Sequence, residues 1–294
     1  MKKTIDLPIS SLDAPLSSAL NKVVSNSTRA GTKVLHQPAY ILHSYPLSET
    51  SLVLDVLTRE QGRLIIVAKG AKRPYTRWRA SIFQTFQTLS LSFSGKNSVR
   101  TLLDAEWVGG IPMLQGAALM SGYYMNEWLQ RALIHADAHP NLFDAYQRGL
   151  AELSLHAHTA SEQAQVLRRF EWALLTELGF GFDFSMLEAV ESIETLDFEF
   201  DLQLHRWSVL PMRDEGWRSS NQRIVVSGKT LLHIRSGYFQ FAKTQNEAKN
   251  LFQAMLQQYV MDKPLLTREV ARELRELQEE VLDTGHLVDR GTRV

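Results

Sequence analysis

The sequence predicts an α+β protein in two parts, a small five-stranded β-barrel followed by an all-α helical domain with a small irregular or β insertion. From about residue 33 to 109, apolar residues come in short runs separated by turn-forming residues, which is the pattern of strands. From Met113 onward, apolar residues follow the 3.6-residue period of helices. The 294 residues, 44% of them hydrophobic, are enough for one large domain or two small ones.

Five runs of aliphatic and β-branched residues make up the barrel part, which we expect to span 33–109. The runs are AYILHSY, SLVLDVLT, RLIIVAKG, FQTLSLSFS and SVRTLLDAEWV, at 39–45, 51–58, 63–70, 86–94 and 98–108. Gly62 and Gly95 supply turn signals between them. Five short strands at this spacing fit a Greek-key barrel of the OB-fold type, although spacing alone leaves an SH3-like barrel open.

Helical periodicity defines the second part, which we expect to span 110–283. Leu167, Phe170 and Leu174, for example, share one face of a helix. The same pattern predicts helices at 115–135, 141–156, 161–181, 246–262 and 268–282, the last one capped by Thr267.

Three segments carry weaker patterns. Between about 185 and 240 the chain is irregular, and its short apolar runs at 196–204, 223–228 and 231–234 fit either strands or loops. Residues 1–32 are rich in Ser, Asn and Ala, so we expect a flexible extension there. We expect residues 284–294 to form a loose tail.

Positive charge is concentrated in the barrel part, although the whole chain has no formal net charge. Residues 33–107 contain ten Lys or Arg and five Asp or Glu. The first 107 residues carry a net charge of +7 and the others −7. Such an asymmetry favours contact between the first half and a polyanion, and mutual attraction of the two halves is the alternative.

The segment VAKGAKRPYTRWRA, residues 67–80, contains much of this charge. It has five cations with two aromatic residues between them and no acidic residue: Lys69, Lys72, Arg73, Tyr75, Arg77, Trp78 and Arg79. Cations contact phosphates and flat rings stack on unpaired bases, so the segment is typical of single-stranded nucleic-acid binding without strong sequence preference. A solvated loop is the alternative, and Trp78 is also compatible with a core position.

Motifs of common enzyme and metal sites are absent from the sequence. SGKT at 227–230 lacks the glycine that a phosphate-binding P-loop needs at position 223, where this chain has Arg. His156 and His158 have no third ligand at zinc-like spacing, and there is no HExxH motif. Because cysteine is absent, disulfides and thiolate zinc sites are excluded. These absences favour a binding protein over an enzyme, without cofactors.

The sequence also bears on the compartment. It has no run of 18 or more apolar residues, so we expect no transmembrane helix and no membrane partner. Lys2 and Lys3 are not followed by an apolar segment, so we expect no signal peptide. A cytoplasmic protein is the simplest prediction.

Several stretches together resemble the recombination mediators of the bacterial RecO family. They are AYILHSYPLSETSLVLDVLTREQGRLIIVAKGAKR (39–73), LLDAEWV (102–108), SGYYMNEWL (121–129), LRRFEWALLTELGFG (167–181) and KPLLTREV (263–270). The resemblance covers about residues 36–275 with order and spacing preserved. It implies an N-terminal OB-fold, a helical domain and no enzymatic turnover.

The resemblance also implies partners. Members of the family bind single- and double-stranded DNA, anneal complementary strands, bind the acidic C-terminal tail of the single-strand-binding protein SSB, and with RecR help the RecA recombinase load. Arg63, Lys69, Lys72 and Arg73 fall in the matching DNA-binding stretch. Tyr75, Arg77, Trp78 and Arg79 extend the same predicted surface, which would place this protein on the nucleoid.

The SSB tail ends in acidic residues and a Pro-Phe carboxylate, so its site needs a cation beside an apolar pocket. The resemblance places this site in LRRFEWALLTEL, where Arg168 and Trp172 are i, i+4 neighbours and Leu178 lies further along the helix. Trp172 replaces an aliphatic residue that the family pattern favours. An ordinary core position is the alternative for Trp172 and Leu178.

Two further features depart from the family. Many members carry four cysteines as a zinc site after the LGF segment, whereas residues 182–245 of this chain contain none. We therefore expect no zinc and a region held together by packing. The extension before Lys33 has no counterpart in the family pattern.

Two other functions remain open at the level of sequence. An RNA-binding OB-fold module fits the basic segment equally well, because phosphates and base faces do not distinguish the sugars. An enzyme with an unrecognised site, such as a metal-dependent nuclease, would need carboxylates that bind a metal.

Overall fold

The computed structural model describes residues 32–74, 80–96, 99–188, 190–210, 222–260, 265–267, 269–270 and 273. The chain divides into two compact units, Met1–Ile111 with Leu133–Phe143, and Pro112–Ala132 with Asp144–Val294. The predicted two-part α+β fold is confirmed. Apart from Thr32, the predicted extension lies outside the described residues, as do the predicted tail and most of the predicted helix over 268–282.

The described part of the first unit contains a closed barrel of five strands. They are β1 (Lys33–Pro46), β2 (Leu52–Thr58), β3 (Gly62–Ala68), β4 (Thr88–Ser94) and β5 (Val99–Gly109). Their order around the barrel is β1-β2-β3-β5-β4, with β3 and β5 parallel and the other neighbours antiparallel. A closed five-stranded barrel of this kind is the OB-like architecture that the sequence predicts, and it favours the OB-fold over the SH3-like alternative.

The barrel closes because alternate residues of each strand are apolar and point inward. Leu64 and Ile66 of β3, for example, are fully buried in the same core cluster as Leu54 and Val56 of β2. Strand β1 is long enough to pair with both β2 and β4. Irregularities in its register, between Ile41 and His43 and between Val34 and Gln37, bend it around the barrel.

The segment Leu133–Phe143 belongs to the barrel unit although it is distant in sequence. The backbone N–H of Ala136 donates to the carbonyl of Arg63 at 2.8 Å. Gly62 has a φ of +67°, and a Cβ at this position would lie 1.7 Å from the carbonyl oxygen of Asp137. Glycine is therefore needed at 62 both for the backbone conformation and for the close approach of this segment.

The second unit contains most of the helices and a small antiparallel sheet. The α-helices described in the chain are α1 (Gly116–Ala132), α2 (Pro140–Leu155), α3 (Ala160–Glu177), α4 (Ser185–Glu188), α5 (Gly228–Ser236) and α6 (Ala242–Val260). The first turn of α2, up to Phe143, belongs to the first unit. The sheet has the order β7-β6-β8, built from β6 (Asp197–Asp201), β7 (Arg206–Leu210) and β8 (Arg223–Ser227). Helix α3 packs against both α1 and α6.

Of the three apolar runs between 185 and 240, two contain strands, and the third lies in a helix, which neither predicted alternative included. The apolar runs at 196–204 and 223–228 contain strands β6 and β8, whereas the run at 231–234 lies in helix α5. Leu231 and Ile234 are both buried and are three residues apart, which places them on one helical face. Gly237, with a φ of +69°, ends this helix.

An aromatic cluster lies in the second unit, around the segment that follows α3. The ring of Phe182 lies 5.1 Å, centroid to centroid, from each of the rings of Trp172, Phe200 and Trp207. Phe180 stacks on Tyr259 at 4.4 Å. Ring contacts of this kind are worth about 0.5–1.5 kcal/mol each beyond the area they bury, so they help to hold this region together.

Candidate nucleic-acid interface

The β1–β2 turn and the end of β3 form a groove of about 460 Å³ on the barrel unit. Lys69 and Arg73 line one part of it, and Ser48, Thr50 and Ser51 line another. The Ser51 Oγ accepts a hydrogen bond from the N–H of Gly70 at 3.3 Å. The Lys72 N–H donates to the Thr50 carbonyl at 3.0 Å, which ties the two loops together.

The groove brings three of the predicted DNA-binding residues together. Lys69, Lys72 and Arg73 are all exposed. The Lys72 ammonium lies 3.4 Å from the Ser48 carbonyl oxygen, at the edge of the groove. Hydroxyls beside exposed cations can donate to phosphate oxygens while the cations neutralise their charge. The arrangement therefore fits a nucleic-acid backbone, and the β1–β2 loop is one that OB-folds use for oligonucleotides.

Arg63 has different surroundings from the other three cations. It lies at the start of β3, about 20 Å along the strand from Lys69 by strand geometry. Its Nε and Nη2 donate to the two carboxylate oxygens of Asp55 at 3.0 and 2.8 Å, and its Nη1 donates to the Leu133 carbonyl at 3.3 Å. The side chain of Arg63 is 13% exposed and that of Asp55 3%. This pairing gives Arg63 a structural role in the barrel unit.

Two partly buried side chains lie near the same ion pair. Burial lowers the pKa of His43, and the negative charge of Asp55 opposes that shift. Burial raises the pKa of the Tyr45 hydroxyl, and Asp55 adds to the increase. Both groups are therefore neutral near pH 7 and add no charge beside the Asp55–Arg63 ion pair.

Four of the predicted DNA contacts lie outside the described residues, and two further lysines of the barrel unit are exposed. Tyr75, Arg77, Trp78 and Arg79 lie outside the described residues. Lys33 and Lys96, which sequence reasoning did not select, are exposed, at the start of β1 and in the β4–β5 loop. The β4–β5 loop is the second ligand-binding loop of OB-folds, so loop position is the signal that would have identified Lys96.

The predicted SSB-tail residues lie on or just beyond helix α3. Arg168 is buried, and its Nη2 donates to Glu171 Oε1 at 2.6 Å. Glu171 also accepts a hydrogen bond from the Tyr124 hydroxyl at 2.5 Å. Burial and the charge of Glu171 raise the pKa of Tyr124. Arg168 thus belongs to a buried polar network between α1 and α3.

Trp172 and Leu178 are half-buried. The Trp172 ring stacks on Phe252 of α6, with 5.6 Å between centroids and 22° between planes, and contacts Phe182 and Phe184. Leu178 follows the last residue of α3 and donates its N–H to the Leu174 carbonyl at 3.0 Å. Trp172 is therefore part of the aromatic cluster while keeping part of its surface accessible.

The described residues contain neither a metal-binding group nor a membrane-spanning helix. Within them, no group of three or more His, Asp or Glu side chains is arranged to hold a metal ion. The absence of cysteine excludes a thiolate zinc site in the whole chain. In the same residues, no helix has the length and apolarity needed to cross a lipid bilayer.

Two family models match the chain. The model "Recombination protein O N terminal" matches residues 33–111, which correspond closely to the barrel strands and the residues just after them. The model "Recombination protein O C terminal" matches residues 113–196, from before α1 to the start of the small sheet.

Full-length relatives agree with these models. The chain is 42% identical over 246 residues to the DNA repair protein RecO of Burkholderia pseudomallei, covering 83% of this chain and 86% of the relative. It is 41% identical to the DNA repair protein RecO of Dechloromonas aromatica and 39% identical to that of Aromatoleum aromaticum, covering 98% of each. With this identity over most of both chains, the protein belongs to the RecO family of DNA repair and recombination proteins.

Proposed function

We propose that this protein is a non-enzymatic recombination mediator that binds single- and double-stranded DNA and anneals complementary strands. It binds the SSB tail and, with RecR, assists the loading of RecA in the cytoplasm, on the nucleoid. The observation that supports DNA binding most directly is the set of exposed cations, Lys69, Lys72 and Arg73, beside a hydroxyl-lined groove of an OB-like barrel. Family membership supports the role in repair and recombination.

The mechanism is electrostatic. Cations in the groove neutralise phosphates and release counterions from the strand, which gives affinity without sequence preference. Bases remain accessible for pairing when the contacts are made mainly to the backbone. A strand held in this way can therefore pair with a complementary strand while it is bound.

The test measures the anisotropy of labelled single-stranded DNA as a function of salt for wild type and for Lys72→Glu/Arg73→Glu. The slope of log K against log salt is negative, and each lost phosphate contact reduces its magnitude by about 0.7. The slope of the variant should therefore be shallower by about 1.4. The matched control is Arg148→Glu/Arg206→Glu, which changes charge equally at exposed positions of the second unit. Equal binding by wild type and the groove variant would refute the assignment of DNA binding to this groove.

Two further measurements separate the mediator from its alternatives. Annealing of SSB-coated complementary oligonucleotides should exceed the rate without protein and should fade with salt. The same anisotropy titration with RNA of equal length should show no marked preference for RNA. A strong preference for RNA, with no annealing, would support the RNA-binding module instead.

The SSB tail is proposed to bind along α3 at Arg168, Trp172 and Leu178. Accessible surface on Trp172 and Leu178 supports an apolar contact, and Arg168, buried against Glu171, contributes its charge from beneath this part of α3. Leu178→Ala should weaken binding of a peptide with the SSB tail sequence about tenfold, as expected for an anchor residue at an interface. Unchanged affinity in Leu178→Ala would place the tail elsewhere.

A further inference from the structure

A second cationic pocket lies in the second unit, between helices α5 and α6. It has a volume of about 240 Å³. Lys229 and His233 of α5 line it together with Phe241 and Lys243, and Glu194 is the acidic residue of its lining. Lys243 is exposed and lies 3.6 Å from Glu247, the next turn of α6. The pocket is therefore open to solvent and has one cation on each helix.

The pocket belongs to a basic segment within an acidic half of the chain. Residues 108–294 have a net charge of −7, yet residues 228–260 contain four Lys or Arg and one acidic residue. That acidic residue, Glu247, accepts hydrogen bonds from the N–H and Oγ–H of Ser227 at 3.0 and 2.7 Å. The Glu247 carboxylate thus occupies the N-terminal end of α5 through Oε2, and its Oε1 lies 3.6 Å from the Lys243 ammonium. Lys229 and Lys243 are both exposed and can attract an anion.

Aromatic rings are exposed beside these lysines. Phe241 is 50% exposed and Tyr238 39% exposed. The Phe241 ring stacks on His233 with 5.2 Å between centroids and 23° between planes, and the Lys229 ammonium lies 5.5 Å from the Phe241 centroid. His233 Nδ1 is 2.8 Å from Thr244 Oγ1, which fixes the orientation of the imidazole. Large exposed rings held in place by neighbours offer flat surfaces for stacking.

We infer that the pocket between α5 and α6 binds single-stranded nucleic acid, with a base on Phe241 and Tyr238 and a phosphate on Lys229 and Lys243. Cations combined with exposed rings are the combination by which proteins hold unpaired strands. The inference extends the proposed function, because it gives the protein a strand contact in each unit. Annealing needs two strands to be held at once, and two separate contacts provide for this.

The experiment uses the full chain and a labelled oligothymidylate at low salt. Affinity is measured by anisotropy in wild type and in the Lys72→Glu/Arg73→Glu background, where binding is expected to be weaker but still detectable. In that background, Lys229→Glu/Lys243→Glu and Phe241→Ala should each lower the remaining affinity about tenfold. Phe241→Tyr keeps the ring and should retain the affinity within about twofold.

The control is Arg235→Glu/Lys249→Glu, which makes the same charge change on the same two helices at exposed residues outside the pocket lining. Its effect should be clearly smaller than that of the pocket variant. Thermal unfolding of each variant checks that the fold is intact. A bromouracil-substituted oligonucleotide should crosslink to the peptide that contains Tyr238 and Phe241.

Several results would overturn the inference. These are no remaining binding in the Lys72→Glu/Arg73→Glu background, equal losses in the pocket and control variants, or unchanged affinity in Phe241→Ala. Loss of binding to an acidic peptide, with oligothymidylate binding unchanged, would show a peptide site instead. If Lys72→Glu/Arg73→Glu itself binds like wild type, the barrel assignment fails, and the pocket variants still test this site separately.

Discussion

Arg63 and Lys72 lie in the same basic region of the sequence, but the structure gives them different surroundings. Arg63 makes a two-point contact with Asp55, and both side chains are largely buried. Lys72 is exposed at the edge of the groove. Charge count alone cannot separate these cases, because the partner of Arg63 comes from a neighbouring strand and depends on the register of β2 with β3.

Arg63→Ala should therefore act on stability. Removing the guanidinium leaves the buried Asp55 carboxylate without its two-point partner, and we expect a loss of about 3 kcal/mol in the free energy of unfolding. Lys72→Ala should change that free energy by less than about 0.5 kcal/mol, because the side chain is exposed. Urea denaturation of both variants makes the comparison, and equal stability would argue against a structural role for Arg63.

Comparing Gly62→Ala with Gly179→Ala separates the steric overlap at position 62 from the cost of a positive φ. Gly62 and Gly179 both have positive φ values, but a Cβ at 179 would meet nothing within 4 Å, whereas one at 62 would overlap the Asp137 carbonyl. Gly179→Ala should cost about 1–2 kcal/mol from backbone strain alone. Gly62→Ala should cost more than about 3 kcal/mol, measured by thermal or urea unfolding. Similar costs would mean that the segment at Asp137 moves aside easily.

At the scale of elements, α3 shows how a short sequence motif fixes a helix start. The Thr159 Oγ1 accepts a hydrogen bond from the Glu162 N–H at 3.2 Å, and the Glu162 carboxylate accepts one from the Thr159 N–H at 2.8 Å. This capping box satisfies backbone N–H groups at both residues. It positions α3, which carries Arg168 and Trp172.

The capping box should make stability depend on pH. Hydrogen bonds from the backbone and hydroxyl of Thr159 lower the pKa of Glu162 in the folded protein. A lowered pKa contributes stability above the unfolded value, near 4.3, and that contribution is lost as pH falls through the folded value. Wild type should therefore be more stable than Glu162→Gln at pH 7, and the difference should shrink below about pH 4. Urea denaturation across this range is the measurement, and a constant difference would contradict it.

Elements with a strong apolar pattern were predictable from the sequence, and weakly patterned ones were not. Strand β1 begins at Lys33, six residues before the predicted strand, because its first part pairs with β4 while several of its side chains remain exposed. Strand β7 is mostly exposed at the edge of the small sheet and gives little signal. Helix α5 contains an apolar run too short to distinguish a helix from a strand.

At the scale of the whole molecule, the sequence indicated only some of the residues that the structure brings together at the two proposed strand contacts. It identified the basic segment and so the exposed Lys69, Lys72 and Arg73. It did not indicate the pocket at Lys229 and Phe241, because the two helices that form it contribute cations and rings spaced along the chain. Their proximity results from helix packing, which no local pattern shows.

The aromatic cluster should make the second unit independent of metal. We expect a chelator such as EDTA to leave the unfolding temperature unchanged, since the chain has no cysteine to bind zinc. Phe182→Ala should lower the free energy of unfolding by about 2 kcal/mol, since its ring contacts three others at 5.1 Å. Leu204→Ala, at a 72% exposed position, is the control. A fall in unfolding temperature with chelator would reveal a metal site of another kind.

The insertion of Leu133–Phe143 into the barrel unit affects the order of events during protein synthesis. The Leu133 carbonyl that accepts from Arg63 is translated 70 residues after it, which corresponds to a delay of about 4–14 s at ordinary elongation rates. All five barrel strands are synthesised before this segment, so the barrel lacks its contacts with Leu133–Phe143 until translation reaches it. A nascent barrel thus passes through an incomplete state, with the Arg63 edge uncovered, before translation supplies its last part. A fragment ending at residue 111 would remain in that state permanently.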